Sequence, residues 1–516
     1  MNEAPPVSAG RREWVGLAVI ALPCLLYSMD LTVLNLALPS LARELRPSAS
    51  QLLWIVDVYG FLVAGALITM GTLGDRIGRR RLLLIGAATF GAASVLAAFS
   101  DTVERLIAMR AVLGLAGATL APSTLSLIRN MFHDPAQRTF AIGVWVSSYS
   151  AGAAIGPLVG GLLLERFWWG SVFLIGVPVM VLLLALGPVL LPEYRDPRAG
   201  RLDLTSAAMS LAAVLLVIYG LKRAAEHGLG GLEALAILAG LAVGFAFVRR
   251  QRRLAEPLLD LRLFRIPAFS ASLVAYTLVT FVSFGAFVLI AQYLQLVLGL
   301  SPLVAGLWTT PFAGGFIAGS MLTPMLVRRV RPAFVMAAGL LLAALGFGAV
   351  ARVEPAAGLP ALVAGFVVFS LGLAPVFTLA TDLIVGTAPP ERAGAAAAIS
   401  ETGSELGGAL GIAVLGSIGT AIYRNRMAAA LPEGLPGAAS DDALHTLGGA
   451  VAVAQQLDMP LAAELLDAAR SAFTTGLQIA AATSALLAVA LAVVVVGTLR
   501  RVGSGGEPPA PAAPQG

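Results

Sequence analysis

A single cysteine, Cys24, in 516 residues rules out a disulfide framework and any cysteine-based metal site. Histidine is almost as scarce. His133, His227 and His445 are the only three, and all lie outside the long apolar runs, so no imidazole is available there to carry protons. Lysine occurs once, at Lys222, and is followed by Arg223. A phosphate-binding loop needs Gly-Lys-Ser/Thr, so the chain contains none and does not hydrolyse ATP by that chemistry. Charge of either sign is also short, at 12% of residues against about 25% in ordinary soluble domains. So little polar sequence cannot coat the three or four soluble domains that roughly 150 residues apiece would give.

What the chain has instead is apolar sequence: 58% hydrophobic residues and a mean hydropathy of +0.87. Its 56 glycines and 30 prolines sit mostly inside apolar stretches, as membrane helices tolerate, and not in linkers. This is the composition of a polytopic membrane protein. A crossing needs about 20 mostly apolar residues. That ruler gives fourteen spans: 14–38, 52–73, 82–100, 106–128, 139–163, 170–191, 204–221, 232–248, 269–296, 303–326, 333–351, 359–387, 394–423 and 473–499. The first is no cleavable signal peptide, because it is long, lacks a small-residue cleavage site and contains Asp30.

Arginine placement sets the expected orientation. With residues 1–13 in the cytoplasm, the cytoplasmic segments hold 23 Lys and Arg and the outer loops hold 10, which predicts both termini inside. The net charge of +5 is explained by this placement and does not call for nucleic acid. The spans divide as six in residues 14–191, an inserted pair with a cytoplasmic linker in 192–268, and six in 269–499. Two six-helix halves with an insertion are the layout expected of a transporter built from repeats. Residues 424–472 read as a long outer loop with Pro-Gly turns at 431–437 and a helix-like run at 460–469. The tail 500–516, rich in Gly, Pro and Ala from Gly503, reads as disordered.

Acids inside an apolar span are costly and therefore candidates for function. Asp30, Asp57, Glu401 and Glu405 qualify, with Asp382 close to the inner surface. Without intramembrane histidine, proton carriage falls to these acids. Glu401 and Glu405, at i and i+4, share a helix face. Counted at about 1.5 Å per residue, Asp30 and Asp57 lie at similar depths in antiparallel spans. For any one of these acids, a packed and hydrogen-bonded role is the alternative. Arg110, within span four and followed by Gly114 and Gly117, is equally expensive unless it faces a cavity or a partner. Aromatic side chains suited to cation–π binding include Trp54, Tyr59, Trp145, Tyr149, Phe281, Phe284, Tyr293 and Trp308, and packing or interface anchoring is the competing role for each.

Two strings concern conformation. Gly71-Thr72-Leu73-Gly74-Asp75-Arg76-Ile77-Gly78-Arg79-Arg80-Arg81 lies between spans two and three. Its glycines permit a tight reversal, and Asp75 can accept from a helix N-terminus or an arginine. In span five Gly152, Gly156 and Gly160 recur every fourth residue, a smooth face for close packing, with Pro157 as a kink. Packing alone is a sufficient account of that face.

Taken together these strings resemble the major facilitator superfamily. Gly71–Arg81 resembles its G-x-L-a-D-R-x-G-R-R/K motif, and Arg110 with Gly114 its R-x-x-x-G motif. Gly152–Gly161 resembles the G-x-x-x-G-P-x-x-G-G motif of its antiporters. Asp30-Leu31-Thr32-Val33-Leu34-Asn35-Leu36-Ala37-Leu38-Pro39 resembles the D-x-T-v-v-N-v-A-L-P motif of fourteen-helix drug:proton antiporters, the QacA/LfrA/SmvA type of multidrug exporter. The likeness covers nearly the whole chain, helped by Trp54–Tyr59 and Ser400-Glu401-Thr402. Two departures stand out. Gly176 occupies a position where many relatives have Asn, and span ten, around Phe312–Ser320, has no acid where some relatives carry one.

The resemblance implies an all-α major facilitator fold of fourteen helices and antiport, in which entering protons drive out lipophilic, cationic drugs across a bacterial cytoplasmic membrane. It assigns proton coupling to Asp30, with Arg110 as modulator and Glu401 and Glu405 as further candidates. Cation recognition falls to Asp57, Trp54, Tyr59, Tyr149 and Glu401, and conformational control to Gly71, Asp75, Arg76, Gly78, Arg79, Gly152, Gly156, Pro157 and Gly160. The expected partners are small lipophilic cations, protons and membrane lipid; no metal, cofactor, nucleic acid or obligate protein partner is called for. The alternative within transport is a dedicated exporter of a single self-made antibiotic or metabolite. A receptor or intramembrane enzyme would need a ligand-reading soluble domain or a catalytic cluster such as His with Glu in a span, and neither is evident.

Overall fold

The computed structural model describes residues 8–195, 203–227, 230–254, 257–354, 358–432 and 437–502. The segment 1–7, the tail from Gly503 and part of the Pro-Gly stretch at 431–437 lie outside the described residues.

The first half contains α1 (Arg11–Leu45), α2 (Ala49–Ile77), α3 (Arg79–Ala98), α4 (Val103–Gly117), α5 (Leu120–Met131), α6 (Pro135–Arg166), α7 (Ser171–Leu174) and α8 (Gly176–Leu190). The inserted pair is α9 (Leu204–His227) and α10 (Gly231–Gln251). The second half contains α11 (Pro267–Gln292), α12 (Pro302–Val327), α13 (Pro332–Val350), α14 (Leu359–Thr387), α15 (Ala393–Ala430), α16 (Gly437–His445), α17 (Leu447–Ala454) and α18 (Met459–Leu499). Among the described residues fourteen helical segments are long and apolar enough to span a membrane, as expected, and the chain is a multi-pass membrane protein.

Two crossings are broken, each for a local reason. A proline lacks the N–H that would bond four residues back, and its ring crowds that carbonyl. Pro122 places this defect at Ala118, where α4 gives way to α5, and Pro178 places it at Leu174, where α7 ends. Pro39 does not end α1, which continues to Leu45. Asp30 lies near the middle of its helix, and Asp57 is eight residues from the start of α2.

The stretch 424–472 is largely helical, not an irregular loop. α15 runs on to Ala430, α16 and α17 follow, and α18 begins at Met459. Tyr423 anchors this cap by donating to the Ala443 carbonyl at 2.8 Å.

Each half has its own apolar cluster, one around Leu113, Ile142 and Trp145, the other around Ile290, Phe347 and Phe366. The halves meet chiefly through α2 with α15 and α6 with α12. Small residues let these backbones close in, which matters because lipid leaves little hydrophobic drive between helices. A Cβ on Gly71 would lie 2.5 Å from the Gly394 carbonyl, and one on Gly143 would lie 2.9 Å from that of Ser320. Both contacts fall toward the end of the molecule that bears the α2–α3 and α14–α15 turns, hereafter the arginine-rich end. The inserted α9 packs along the α2–α15 junction, where Val214 and Ile218 meet Phe61 and Ala64, with Leu406 and Ala409 alongside.

Candidate functional site

The intramembrane ionisable groups do not form one cluster. They form two polar contacts at the centre of the bundle, a third where α9 meets α2, and a set of locks at the arginine-rich end.

The deepest contact joins two sequence candidates. Arg110 of α4 is 1% exposed and donates from Nη1 to Asp30 Oδ2 at 2.5 Å. Its Nε donates to the Ile55 carbonyl at 3.1 Å, and its guanidinium lies 4.6 Å from the centre of the Tyr59 ring. A guanidinium does not give up its proton in a protein, so its burial needs an anion, and Asp30 supplies it. Beside Asp30 is a cavity of about 10 Å³ lined by Met29, Phe90, Phe173 and Gly176, room for about one water. Tyr59 is fully buried here, and its hydroxyl has no hydrogen-bond partner among the described residues.

The second contact is the Glu401–Glu405 face of α15. Glu401 Oε1 accepts from the Tyr276 hydroxyl of α11 at 3.0 Å. Glu405 Oε1 accepts from the Tyr27 hydroxyl of α1, also at 3.0 Å, and so ties the second half to the first. Tyr27 continues into an aromatic group, with ring centres 5.8 Å from Tyr149 and 6.0 Å from Tyr59. Both glutamates are half-buried.

The third contact involves a residue that motif reading passed over. Lys222 of α9 donates from Nζ to Asp57 Oδ1 at 2.5 Å, and lies 4.9 Å from the centre of the Phe61 ring. Sequence adjacency groups Asp57 with Trp54 and Tyr59, but the helix separates them. At about 3.6 residues per turn, residues 54, 57 and 61 share a face and 59 points away. Trp54, 47% exposed, packs edge-on to Phe61, whereas Tyr59 belongs to the Asp30–Arg110 contact. Of the remaining aromatics, Trp145 is buried and packs edge-on against Tyr149, Phe281 is half-buried, and Phe284 and Trp308 are exposed. Tyr293 donates to the Glu354 carbonyl, a structural tie.

At the arginine-rich end Asp75 of α2 is 5% exposed, touches the Arg79 guanidinium, and accepts from the Ala395 N–H at 3.3 Å. That N–H belongs to the first turn of α15, where an anion is favoured by unpaired donors and the helix dipole. Gly78 turns the chain with φ +111°, a conformation that suits glycine, and a Cβ there would strike the Glu193 carboxylate. Glu193 in turn accepts from the Arg80 and Arg81 N–H groups at 3.1 Å each. Arg76 is half-buried beside this turn.

A second lock at this end uses Asp382, which accepts from Arg138 Nε and from the Thr139 hydroxyl, both at 2.6 Å. It is a buried link between α14 and α6, hence between the halves.

The glycine face of α6 does not meet the other half. Gly152, Gly156 and Gly160 pack against α1, and Cβ atoms there would lie 2.1 Å from the Leu25 carbonyl, 2.3 Å from Thr32 Oγ1 and 2.6 Å from Val33 Cγ1. It is the face around Gly143 that reaches α12. Gly152–Gly160 with Pro157 therefore positions the helix that carries Asp30.

Sequence reasoning missed Lys222, Tyr27, Tyr276 and Arg138 as partners. Lys222 carried a signal, being the only lysine and standing at the end of an apolar span. The other three carried none beyond a polar group in or at the edge of a span.

The family model for the Major Facilitator Superfamily matches residues 20–412. The multidrug efflux pump LfrA of Mycolicibacterium smegmatis is 46% identical, over 95% of this chain and 97% of its own. The methyl viologen resistance protein SmvA of Salmonella typhimurium is 38% identical, over 93% and 97%. The tetracenomycin C resistance and export protein of Streptomyces glaucescens is 34% identical, over 94% and 92%. Among solved structures, the human organic anion transporter MFSD10 superposes with a TM-score of 0.62 at 16% identity, over 94% of this chain and 99% of that one, a likeness of fold. The motifs, the fourteen crossings in two halves with an inserted pair, and these relatives agree: the chain belongs to the Major Facilitator Superfamily.

Proposed function

We propose that the protein exports lipophilic, cationic drugs and dyes across a bacterial cytoplasmic membrane in exchange for protons, with both termini in the cytoplasm. The observation that carries this reading is the Asp30–Arg110 contact at mid-helix, a carboxylate held against a buried guanidinium. A proton reaching Asp30 cancels the anion that holds Arg110. A buried guanidinium left unpaired costs several kcal/mol, so protonation strains the packing of α1 against α4. Loss of the proton restores the pair. Glu401 and Glu405 supply carboxylates whose tyrosine hydrogen bonds a bound cation replaces. Because the Glu405–Tyr27 bond joins the halves, substrate occupancy bears directly on the bond between them. With the arginine-rich end cytoplasmic, the close packing there corresponds to a state closed toward the cytoplasm. Full-length relatives that are named for multidrug efflux and for methyl viologen resistance support the substrate class.

The test is made in everted vesicles. Adding a cationic substrate after energisation partly collapses the pH gradient if export is proton-coupled. Transport that requires ATP and survives an uncoupler would overturn the reading. A second reading, export of one self-made compound, draws on the relative named for tetracenomycin C resistance and export. It predicts resistance to one narrow chemistry in a susceptible host, whereas multidrug export predicts resistance across unrelated cations.

A further inference from the structure

The inserted helix α9 belongs to neither six-helix half, yet it delivers the chain's only lysine to an acid at the edge of the transport core. Lys222 Nζ is 2.5 Å from Asp57 Oδ1 and 4.9 Å from the centre of the Phe61 ring. A carboxylate joined to an aromatic face is the chemistry that binds an organic cation, and here an ammonium of the protein already occupies it. The group also reaches across the junction, because Lys222 interacts electrostatically with Glu405 on α15. The pair is not sealed inside the protein, with side-chain exposures of 35% for Lys222 and 20% for Asp57. Nor is the lysine needed to hold α9 in place. Leu211 and Leu215 pack against Gly65 of α2, Val214 and Ile218 against Phe61 and Ala64, and Arg223 pairs with Glu233 of α10 at 3.2 Å.

From this we infer that Lys222 is a tethered surrogate substrate: it fills the Asp57–Phe61 cation site in the empty protein, and an organic cation binds there by displacing it. The inference rests on reading Asp57 as a cation-recognition acid. It adds a selectivity rule. The displaced ammonium stays on its short tether beside the site and keeps its charge. Its repulsion of the incoming ligand grows with the ligand's charge, so Lys222 favours monocations over dications. The inserted helix pair thereby sets specificity and is more than a spacer between halves.

The test measures equilibrium binding to the purified full-length protein, with tetraphenylphosphonium as monocation and methyl viologen as dication. Removing the competitor in Lys222→Met tightens tetraphenylphosphonium by about fivefold, the scale of a partly exposed ion pair, and methyl viologen by more. Lys222→Arg keeps the charge and stays close to the parent. Unchanged or weaker binding in Lys222→Met, or equal gains for the two probes, overturns the proposal. Asp57→Asn separates the two levels of the argument. If it leaves both affinities untouched, the reading of Asp57 as a cation site fails; if it weakens both while Lys222→Met changes neither, only the surrogate role fails. A second measurement uses the parent protein and needs no variant to fold. Acetylation by an amine-selective reagent is followed at the Lys222 peptide, with the N-terminal amine as internal control. Saturating methyl viologen raises the Lys222 rate if the ammonium is displaced from Asp57, and an unchanged rate counts against displacement.

Discussion

Asp30 and Asp57 are each paired with a cation, but the two cations differ in kind. Arg110 is buried, whereas Lys222 is about one-third exposed and hangs from an accessory helix. Amide replacement keeps the shape of either acid and removes its charge. Asp30→Asn therefore abolishes efflux of every substrate, because no carboxyl remains opposite Arg110 to exchange a proton. Asp57→Asn spares neutral compounds and weakens cations, dications most, because Lys222 then stands unpaired in the site. Dye efflux for a series of mono- and dications at matched expression distinguishes the two; identical, charge-independent loss in both would place Asp57 in the proton path or in the scaffold. The candidate acids were legible in the sequence, since any carboxylate in an apolar run stands out. Their partners were less so. Arg110 was flagged by its own cost, but Lys222 lies 165 residues from Asp57, and nothing local says where α9 docks. The placing of Tyr59 beside Asp57 was a different failure, because the turn of the helix alone separates the two.

Among the elements, α6 shows how a small-residue face can serve a distant site. Gly156 lets α6 approach Thr32 and Met29 of α1, the residues flanking Asp30. A leucine there has no room and forces α1 away, at a cost of about 1–3 kcal/mol for overpacking. Gly156→Leu therefore stops efflux, while tetraphenylphosphonium binding to purified protein stays close to the parent, because Asp57 and Glu405 ride on α2 and α15. Equal loss of binding would put this face inside the substrate site. Tyr27→Phe probes the opposite link by removing only the hydroxyl that joins α1 to Glu405. We expect a change in transport rate larger than any change in affinity, read from initial efflux rates over a substrate series. The existence of the helices was legible because length and hydropathy determine a crossing. Their ends were not: α1 passes through Pro39, and α15 and α18 extend into the expected loop. Polar sequence stays helical there because water satisfies a helix surface as readily as lipid covers one.

For the molecule as a whole, the arginine-rich end is held by two polar links between halves among the described residues, Asp75 to the α15 N-terminus and Asp382 to Arg138 and Thr139. Losing one partner of a buried ion pair costs about 3–5 kcal/mol. Asp382→Asn should therefore shift the closed-to-open ratio at this end by about two to three and a half orders of magnitude. Ala397, fully buried among residues of the other half, offers a reporter, because the native Cys24 is itself buried. Ala397→Cys is labelled slowly by a membrane-impermeant maleimide, and adding Asp382→Asn speeds the reaction; an unchanged rate would mean that the link does not hold this end shut. The inserted helices have one more consequence, for shape. Two similar halves set side by side have two flanks, and here the flanks are unlike. α9 covers the α2–α15 seam, while among the described residues the inserted pair does not pack on the α6–α12 seam. To a compound dissolved in the bilayer and drifting in from the side, the protein is therefore a one-sided object, with the wall of the inserted pair on one flank only.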